Sequence, residues 1–170
     1  PVLHEAKVLY FYNTQYEGGV CDRNIFCTGA APAQNLAFAV PEVIKKFGKK
    51  IYIVAADYNY GQIIAKWVEK FAKENGGEIV AMEFFPLDVS EFGPTIQKIQ
   101  AAGPNQVFSA LVGGAHASFY RQWHAAGMSE KIPLTSSTFS HGQEQLVLSA
   151  EEGNGIITFA QYVESVDNPS

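Results

Sequence analysis

The sequence predicts an α/β protein built on a doubly wound parallel sheet with helices on both faces. One observation is a near-continuous apolar run at residues 51–56, typical of a central parallel strand buried on both sides. Another is a stripe of apolar residues that starts at Ile63 and recurs at helical spacing as far as Ala72. Strand and helix patterns then alternate along the chain, which implies right-handed crossovers between parallel strands.

The first 49 residues predict short elements and one long helix. Residues 1–7 have the pattern of a last helical turn, and residues 8–12 and 25–28 have the pattern of strands. The glycine-containing stretch between these strands predicts an irregular loop. A helix is expected at residues 33–47, ending before Gly48, and Pro41 either kinks it or divides it in two.

From residue 50 onward the alternation is regular. Loops are predicted at residues 57–61 and at Gly113 and Gly114, each at the carboxyl end of a strand. Further strands are predicted at residues 78–85, 106–112, 132–136 and 156–160, and further helices at residues 94–102, 115–126 and 143–148. Counted from the strand at residue 51, we expect the strand order 2-1-3-4-5, as in flavodoxin-like and Rossmann-like sheets.

Composition limits the possible classes of function. A chain of 170 residues with 47% apolar residues can form one domain with an ordinary core. A net charge of -5 argues against nucleic acid or an anionic membrane as a partner. Apolar runs fall short of the roughly 20 residues that span a bilayer. There is no signal-peptide pattern, and we expect any targeting segment to lie outside this sequence.

Polar side chains gather where the predicted strands end, which is where open parallel sheets bind ligands. The expected strand order brings the loops after the first and third strands to one crevice. Phenols and hydroxyls dominate its rim, and without a glycine-rich phosphate motif we expect no nucleotide cofactor. The residues predicted to border the crevice are Tyr58, Tyr60, Gly113, Ser137, Thr138, Ser140 and Tyr162.

The sequence contains no recognisable catalytic or metal-binding constellation. His116 and His124 lack a cysteine or carboxylate that would complete a metal site, and we expect both at the surface. The spacing of Cys21 and Cys27 matches no metal or redox motif. We expect them to be unbonded, although export would allow a loop disulfide. Asp57 is expected to cap the helix that follows it.

Three short segments together resemble a known family. They are residues 12–18 (YNTQYEG), residues 24–32 (NIFCTGAAP) and residues 57–60 (DYNY). These segments look like those of the type I periplasmic binding proteins, which are the solute-binding receptors of ABC importers. The nearest branch is the short-chain amide and urea receptors, followed by the branched-chain amino-acid receptors. The resemblance implies a periplasmic or extracytoplasmic protein in which two lobes close on a solute.

The resemblance also implies a division of the chain and a set of ligand contacts. Residues 1–28 would end a first lobe and lead into the crossover, and residues 29–170 would form most of the second lobe of a longer receptor. Gln15 stands where amide receptors often have proline, and residues 141–143 replace a stretch that is usually acidic, so the ligand stays open. The implied ligand contacts are Tyr12, Thr14, Tyr58, Tyr60 and Thr138.

Three classes of function follow from these observations. The first is the solute-binding component of an ABC importer, which takes a short-chain amide, urea or a branched-chain amino acid and delivers it to a membrane permease. The second is the ligand-sensing domain of a regulator or receptor kinase. The third, a small flavodoxin-like enzyme, ranks last because a cofactor loop and a nucleophile are missing.

Residues 8–12, starting at Val8, are expected either to pair with another copy or to fold back against the second-lobe sheet.

Overall fold

The computed structural model describes residues 2–139 and 144–160. The strands within these ranges are β1 (Tyr10–Tyr12), β2 (Ile25–Cys27), β3 (Lys50–Ala56), β4 (Glu78–Phe85), β5 (Gln106–Ala110), β6 (Leu134–Ser136) and β7 (Ile157–Thr158). The helices are α1 (Val2–Glu5), α2 (Pro32–Phe47), α3 (Asn59–Glu74), α4 (Gly93–Ala102), α5 (Gly113–Ala125), α6 (Glu144–Val147) and α7 (Ala150–Gly153).

Five of these strands form one parallel sheet in the order β4-β3-β5-β6-β7. Counted from β3, this is the order 2-1-3-4-5, and both the predicted fold class and the predicted topology are confirmed. The order reverses at β3, which lies between β4 and β5. The carboxyl ends of the strands meet at one edge of the sheet, as a doubly wound fold requires.

Side chains of β3 alternate between two buried layers because successive residues of a strand point to opposite faces. Tyr52 and Val54 belong to the layer that contains α4 and α5, with Phe92, Phe119 and Trp123 among its members. Ile51, Ile53 and Ala55 belong to the layer on the other face, where Leu36 of α2 and Val68 of α3 pack. Helices therefore cover both faces of the sheet.

The two long helices next to the sheet edge differ from their predicted forms in specific ways. Helix α2 runs unbroken through Pro41. Helix α3 starts at Asn59, so Tyr60 and Gly61 lie in its first turn and not in a loop. The reason is a close backbone approach, since a Cβ atom added at Gly61 would lie 2.1 Å from the Ala56 carbonyl oxygen.

Other boundaries also moved. Gly113 and Gly114 open helix α5 and do not form a separate loop, and β5 ends at Ala110.

The short helix α7 was not predicted. The Ser149 hydroxyl caps it by accepting from the Glu152 amide at 3.2 Å, while the Glu152 carboxylate accepts from the Ser149 amide at 2.7 Å. Such a reciprocal cap satisfies two amide groups that the helix itself leaves unpaired.

Strands β1 and β2 form a separate two-stranded parallel sheet. Tyr10 lies opposite Ile25, and Phe11 lies opposite Phe26. Residues 8–12 therefore do not fold back against the five-stranded sheet, and that alternative was wrong. The rings of Phe11 and Phe26 stack with centroids 5.2 Å apart while both side chains remain exposed to solvent.

Two expectations about single residues were wrong and one is confirmed. His116 is buried, and its ring meets that of Tyr120 edge-on at 4.5 Å. Asp57 does not cap α3; its carboxylate accepts from the Gln62 amide group at 3.0 Å. Cys21 and Cys27 are free, as expected.

Within residues 2–139 and 144–160, no helix has the length and apolarity needed to cross a bilayer.

Candidate functional site

An open cavity lies at the carboxyl edge of the five-stranded sheet, and the space within it and at its open mouth amounts to about 530 Å³. Four parts of the chain form its wall: the loop after β1, the start of α2, the start of α3 after β3, and the residues that follow β6. Its lining residues are Asn13, Thr14, Gln15, Tyr16, Gly29, Ala30, Pro32, Asn35, Tyr60, Ile64, Ser137 and Thr138. This is the edge where a sheet of this order is expected to bind ligands.

Close backbone contacts explain why these segments converge. A Cβ atom at Gly29 would lie 2.9 Å from the Asn13 carbonyl oxygen, so glycine allows the loop after β1 to lie against the lead into α2. The first turn of α3 is pressed onto the end of β3 through Gly61. This contact brings Tyr60, the second residue of α3, to the cavity.

Tyr60 is the buried phenol of the site, with 6% of its surface exposed. Its hydroxyl lies 3.5 Å from the Ser137 hydroxyl oxygen, at the outer limit of a hydrogen bond. Burial raises the pKa of Tyr60, and the Ser137 contact opposes that rise. The phenol is therefore protonated at neutral pH and has a hydrogen to offer.

Hydroxyl groups form the floor of the cavity after β6. The Thr138 hydroxyl donates to the Leu111 carbonyl oxygen at 2.7 Å. Its oxygen also lies 3.3 Å from the Ser136 hydroxyl, which in turn receives the Tyr120 hydroxyl at 2.7 Å. All of these groups are buried, so the floor is held in place from behind by a polar network.

Tyr58 lies at the entrance and does not itself line the cavity. Its hydroxyl donates to the Gln15 side-chain oxygen at 2.9 Å, and Gln15 is a lining residue. Burial, with smaller contributions from Tyr60 and Glu17, raises the pKa of Tyr58 to about 12. Tyr58 therefore connects the start of α3 to the loop after β1.

Tyr12 also stands one step away from the cavity. Its hydroxyl donates to the Glu17 carboxylate, and its ring meets the ring of Tyr16 edge-on with centroids 5.1 Å apart. The bond to Glu17, followed by burial, raises the pKa of Tyr12 to about 12. Tyr12 thus supports the loop from which Tyr16 reaches the cavity.

The structure brings together part of the predicted set. Thr14, Tyr60, Ser137 and Thr138 line one cavity, and Tyr58 touches it through Gln15. Gly113 does not belong to it, because a Cβ atom at this position would face the Leu87 carbonyl oxygen at 3.1 Å. Ser140, Tyr162 and residues 141–143 lie outside the described residues.

Sequence reasoning missed several lining residues, mainly in α2 and in the loop after β1. Asn13 and Tyr16 belong to the YNTQYEG segment that carried the resemblance, so the signal was present but was assigned to Tyr12 and Thr14 alone. Asn35 is a polar residue one position before Leu36, a core residue of α2. Nothing in its local pattern distinguishes it from an ordinary surface asparagine.

The chemistry of the wall is neutral. None of the described residues that line the cavity has a charged side chain. Amide, hydroxyl and phenol groups alternate with the apolar surfaces of Ala30, Pro32 and Ile64. Within the described ranges, no group of three or more His, Cys, Asp or Glu residues can hold a metal ion. Such a wall can hold a small molecule by hydrogen bonds and apolar contact.

Comparison with solved structures finds similar proteins that include solute-binding proteins of ABC transporters. A solute-binding protein of an ABC transporter from R. palustris, in complex with benzoate, is 27% identical with a TM-score of 0.77, covering 88% of this chain and 41% of that one. Another from R. palustris, with 4-hydroxybenzoate, is 26% identical with a TM-score of 0.68, covering 81% and 39%. The chain therefore spans about two fifths of the length of these proteins.

A more distant structure shares the fold. The branched-chain amino-acid ABC transporter protein from Thermus thermophilus, with bound valine, is 16% identical with a TM-score of 0.79, covering 99% of this chain and 45% of that one. In addition, residues 1–170 match the family described as "Periplasmic binding protein domain". Proteins of this kind carry ligands and are not enzymes, in agreement with the prediction from sequence. The match over the whole chain shows that this protein belongs to the periplasmic binding protein domain family.

Proposed function

We propose that this chain forms one wall of the ligand cleft in the solute-binding component of an ABC importer. The observation that carries the proposal is the cavity itself, where neutral hydrogen-bonding groups converge from the loop after β1, the start of α2 and the start of α3. The periplasmic location that the resemblance implied agrees with the family. The partner that receives the ligand would be a membrane permease.

The division of the chain into two lobes is part of this proposal. The separate sheet of β1 and β2 supports assigning residues 1–28 to the end of one lobe. The five-stranded sheet supports assigning residues 29–170 to the other. The bond from Tyr58 to Gln15 would then run between lobes, and ligand capture would proceed by hinge closure over the cavity.

The ligand proposed for this cavity has a carboxyl or amide group on a small apolar body. The hydroxyls of Tyr60 and Ser137 suit the polar group, and Ile64 and Pro32 suit the apolar part. The relatives bind benzoate, 4-hydroxybenzoate and valine, and all three ligands have this form. Short-chain amides fit the same description, whereas urea lacks the apolar part and fits less well.

Amide chemical shifts of the isotope-labelled chain test the proposal, because they report weak binding. The chain is titrated separately with benzoate, valine, propionamide and urea. We expect at least one of the first three to shift the signals of residues 13–16, 60–64 and 137–138 in a saturable way. Lys98, which bonds Glu83 away from the cavity, is the internal control and should not move. Shifts confined to residues outside the cavity, or no shifts at all, would contradict the proposal.

A further inference from the structure

A row of hydroxyl groups lies behind the cavity floor and extends from Ser109 of β5 to Thr138. The Tyr120 hydroxyl lies 3.2 Å from the Ser109 hydroxyl and 2.7 Å from the Ser136 hydroxyl. The Ser136 and Thr138 hydroxyls are 3.3 Å apart, and the Thr138 hydroxyl lies 2.7 Å from the Leu111 carbonyl oxygen. All five residues are buried, so they bond one another in a region away from bulk solvent.

Which hydroxyl donates in each of these hydrogen bonds follows from Thr138, the last residue of the row. A carbonyl oxygen can only accept, so the single Thr138 proton is used in the bond to Leu111. The amides of Thr138 and Phe139 both donate to the Ser136 oxygen, at 3.2 and 3.0 Å, and Tyr120 donates to it at 2.7 Å. The Ser136 proton is then directed to the Thr138 oxygen.

Thr138 is the member of this row that lines the cavity. Because its proton is committed to Leu111, its oxygen has only acceptor capacity left for a bound molecule. We infer that Thr138 selects a ligand that presents an N–H or O–H group at this point of the cleft. This inference rests on the proposed function and specifies one contact of the ligand.

The neighbouring hydroxyls do not impose the same requirement. The contacts of the Ser137 hydroxyl with the Ser109 carbonyl oxygen and with the Tyr60 hydroxyl are both 3.5 Å long. Bonds of this length are weak, so either hydroxyl can turn to donate or accept as a ligand demands. Reversing the Thr138 hydroxyl would instead leave the buried Leu111 carbonyl without its bond, which is unfavourable.

Two ligand pairs that differ in one donor test the inference. L-Valine is compared with 3-methylbutanoate, which lacks the ammonium group, and 4-hydroxybenzoate is compared with 4-fluorobenzoate. Dissociation constants come from amide-shift titrations of the 170-residue chain. In the wild type we expect the donor-bearing member of at least one pair to bind about tenfold more tightly, the usual effect of one hydrogen bond to a buried partner.

Substitutions then assign the preference to Thr138. Thr138→Ser keeps the hydroxyl and should keep the tenfold ratio, whereas Thr138→Val should reduce the ratio to near one by weakening only the donor-bearing ligand. Thr95→Val is the matched control, since it removes a buried hydroxyl on α4 outside the cavity and should leave the ratio intact. Equal affinities for both members of each pair in the wild type would overturn the inference even if Thr138→Val does not fold.

The outcomes separate this inference from the proposed function. Cavity shifts with equal affinity for both members of each pair, or a preference for the members without the donor, would overturn the acceptor role of Thr138 and leave the binding function intact. A ratio that persists in Thr138→Val would assign the donor preference to another residue and also overturn it. The absence of cavity shifts with all four molecules would contradict the inference together with the function on which it rests.

Discussion

The Tyr58 hydroxyl donates a hydrogen bond to the Gln15 side-chain oxygen at 2.9 Å and so joins the start of α3 to the loop after β1. Gln15 has a φ of 48°, in the left-handed region that few residues other than glycine adopt. Proline, fixed near a φ of -65°, cannot take this conformation. The glutamine at this position therefore has a backbone and a side-chain role that a proline could not fill.

Removing this bond should weaken ligand binding without changing the cavity lining. Tyr58→Phe keeps the ring and deletes the donor, and we expect affinity to fall by about 0.5–1.5 kcal/mol, the net value of an ordinary hydrogen bond. Tyr10→Phe is the matched control, because Tyr10 lies on β1 away from the cavity. Titration calorimetry or amide-shift titration measures the difference. Equal affinities of Tyr58→Phe and wild type would show that the bond does not assist capture.

Tyr60→Phe should reduce affinity more than it reduces stability. Its hydroxyl makes only a 3.5 Å contact with Ser137, so little folding energy depends on it. A ligand group left unpaired in a buried cavity costs about 1–3 kcal/mol. Tyr52→Phe is the converse control. The Tyr52 hydroxyl donates to Glu83 away from the cavity, so its loss should affect stability and not affinity. Unchanged affinity in Tyr60→Phe would remove Tyr60 from the site.

Gly61→Ala should destabilise the fold strongly. The new Cβ atom would lie 2.1 Å from the Ala56 carbonyl oxygen and 2.8 Å from its amide nitrogen, so helix α3 would have to move off the end of β3. We expect a loss of about 3 kcal/mol or more in the free energy of unfolding, as for severe overpacking. Gly93→Ala places its Cβ in open space and should be nearly neutral. Chemical denaturation compares the two, and similar midpoints would refute the close approach at Gly61.

Stability should decline between about pH 10 and pH 12 because of two phenols. The pKa values of Tyr12 and Tyr58 are raised from 10.0 to about 12, so in this window the folded state retains protons that the unfolded state releases. Their contribution is complete below pH 10 and is lost as the pH rises through 12. Tyr58→Phe should make the decline shallower. Denaturation midpoints that stay constant up to pH 12 would contradict this expectation.

The small sheet of β1 and β2 should make the isolated chain self-associate. Phe11 and Phe26 are 57% and 47% exposed and stack on one another, which gives an apolar surface beside unpaired strand edges. Phe11→Ser combined with Phe26→Ser should lower the average mass in light scattering. Phe38→Ser on α2, where the ring is 75% exposed, is the matched control and should have no effect. A monodisperse wild-type monomer over a wide concentration range would disprove the association.

The parts of the fold that depend on local pattern could be predicted from the sequence. Strand β4 and most of β3 follow from continuous apolar runs, and the strand order follows from the repeated crossovers. The early start of α3 could not be predicted, because glycine and two tyrosines are poor helix formers and the turn depends on contact with Ala56. The burial of His116 was visible in principle, since His116, Phe119, Tyr120 and Trp123 share one helical face.

The residues of the candidate site could likewise be predicted only in part from the sequence. Tyr60 and Thr138 were predicted because they follow strands of the main sheet. The place of Asn13 and Asn35 in the cavity wall depends on how the loop after β1 lies against α2, and no local pattern specifies such a contact between segments. This contact requires the close approach at Gly29. Gly113 was assigned by its place after β5, but a Cβ atom there would face the Leu87 carbonyl oxygen, and Gly113 is not among the lining residues.

The uncharged wall of the cavity bears on the speed of capture as well as on affinity. Charged clefts accelerate the arrival of oppositely charged molecules by roughly 10- to 1000-fold, and salt removes this advantage. The described lining residues provide no such attraction, so this wall itself adds no salt-dependent steering of the solute. Any dependence of the capture rate on ionic strength would have to come from charges outside the wall.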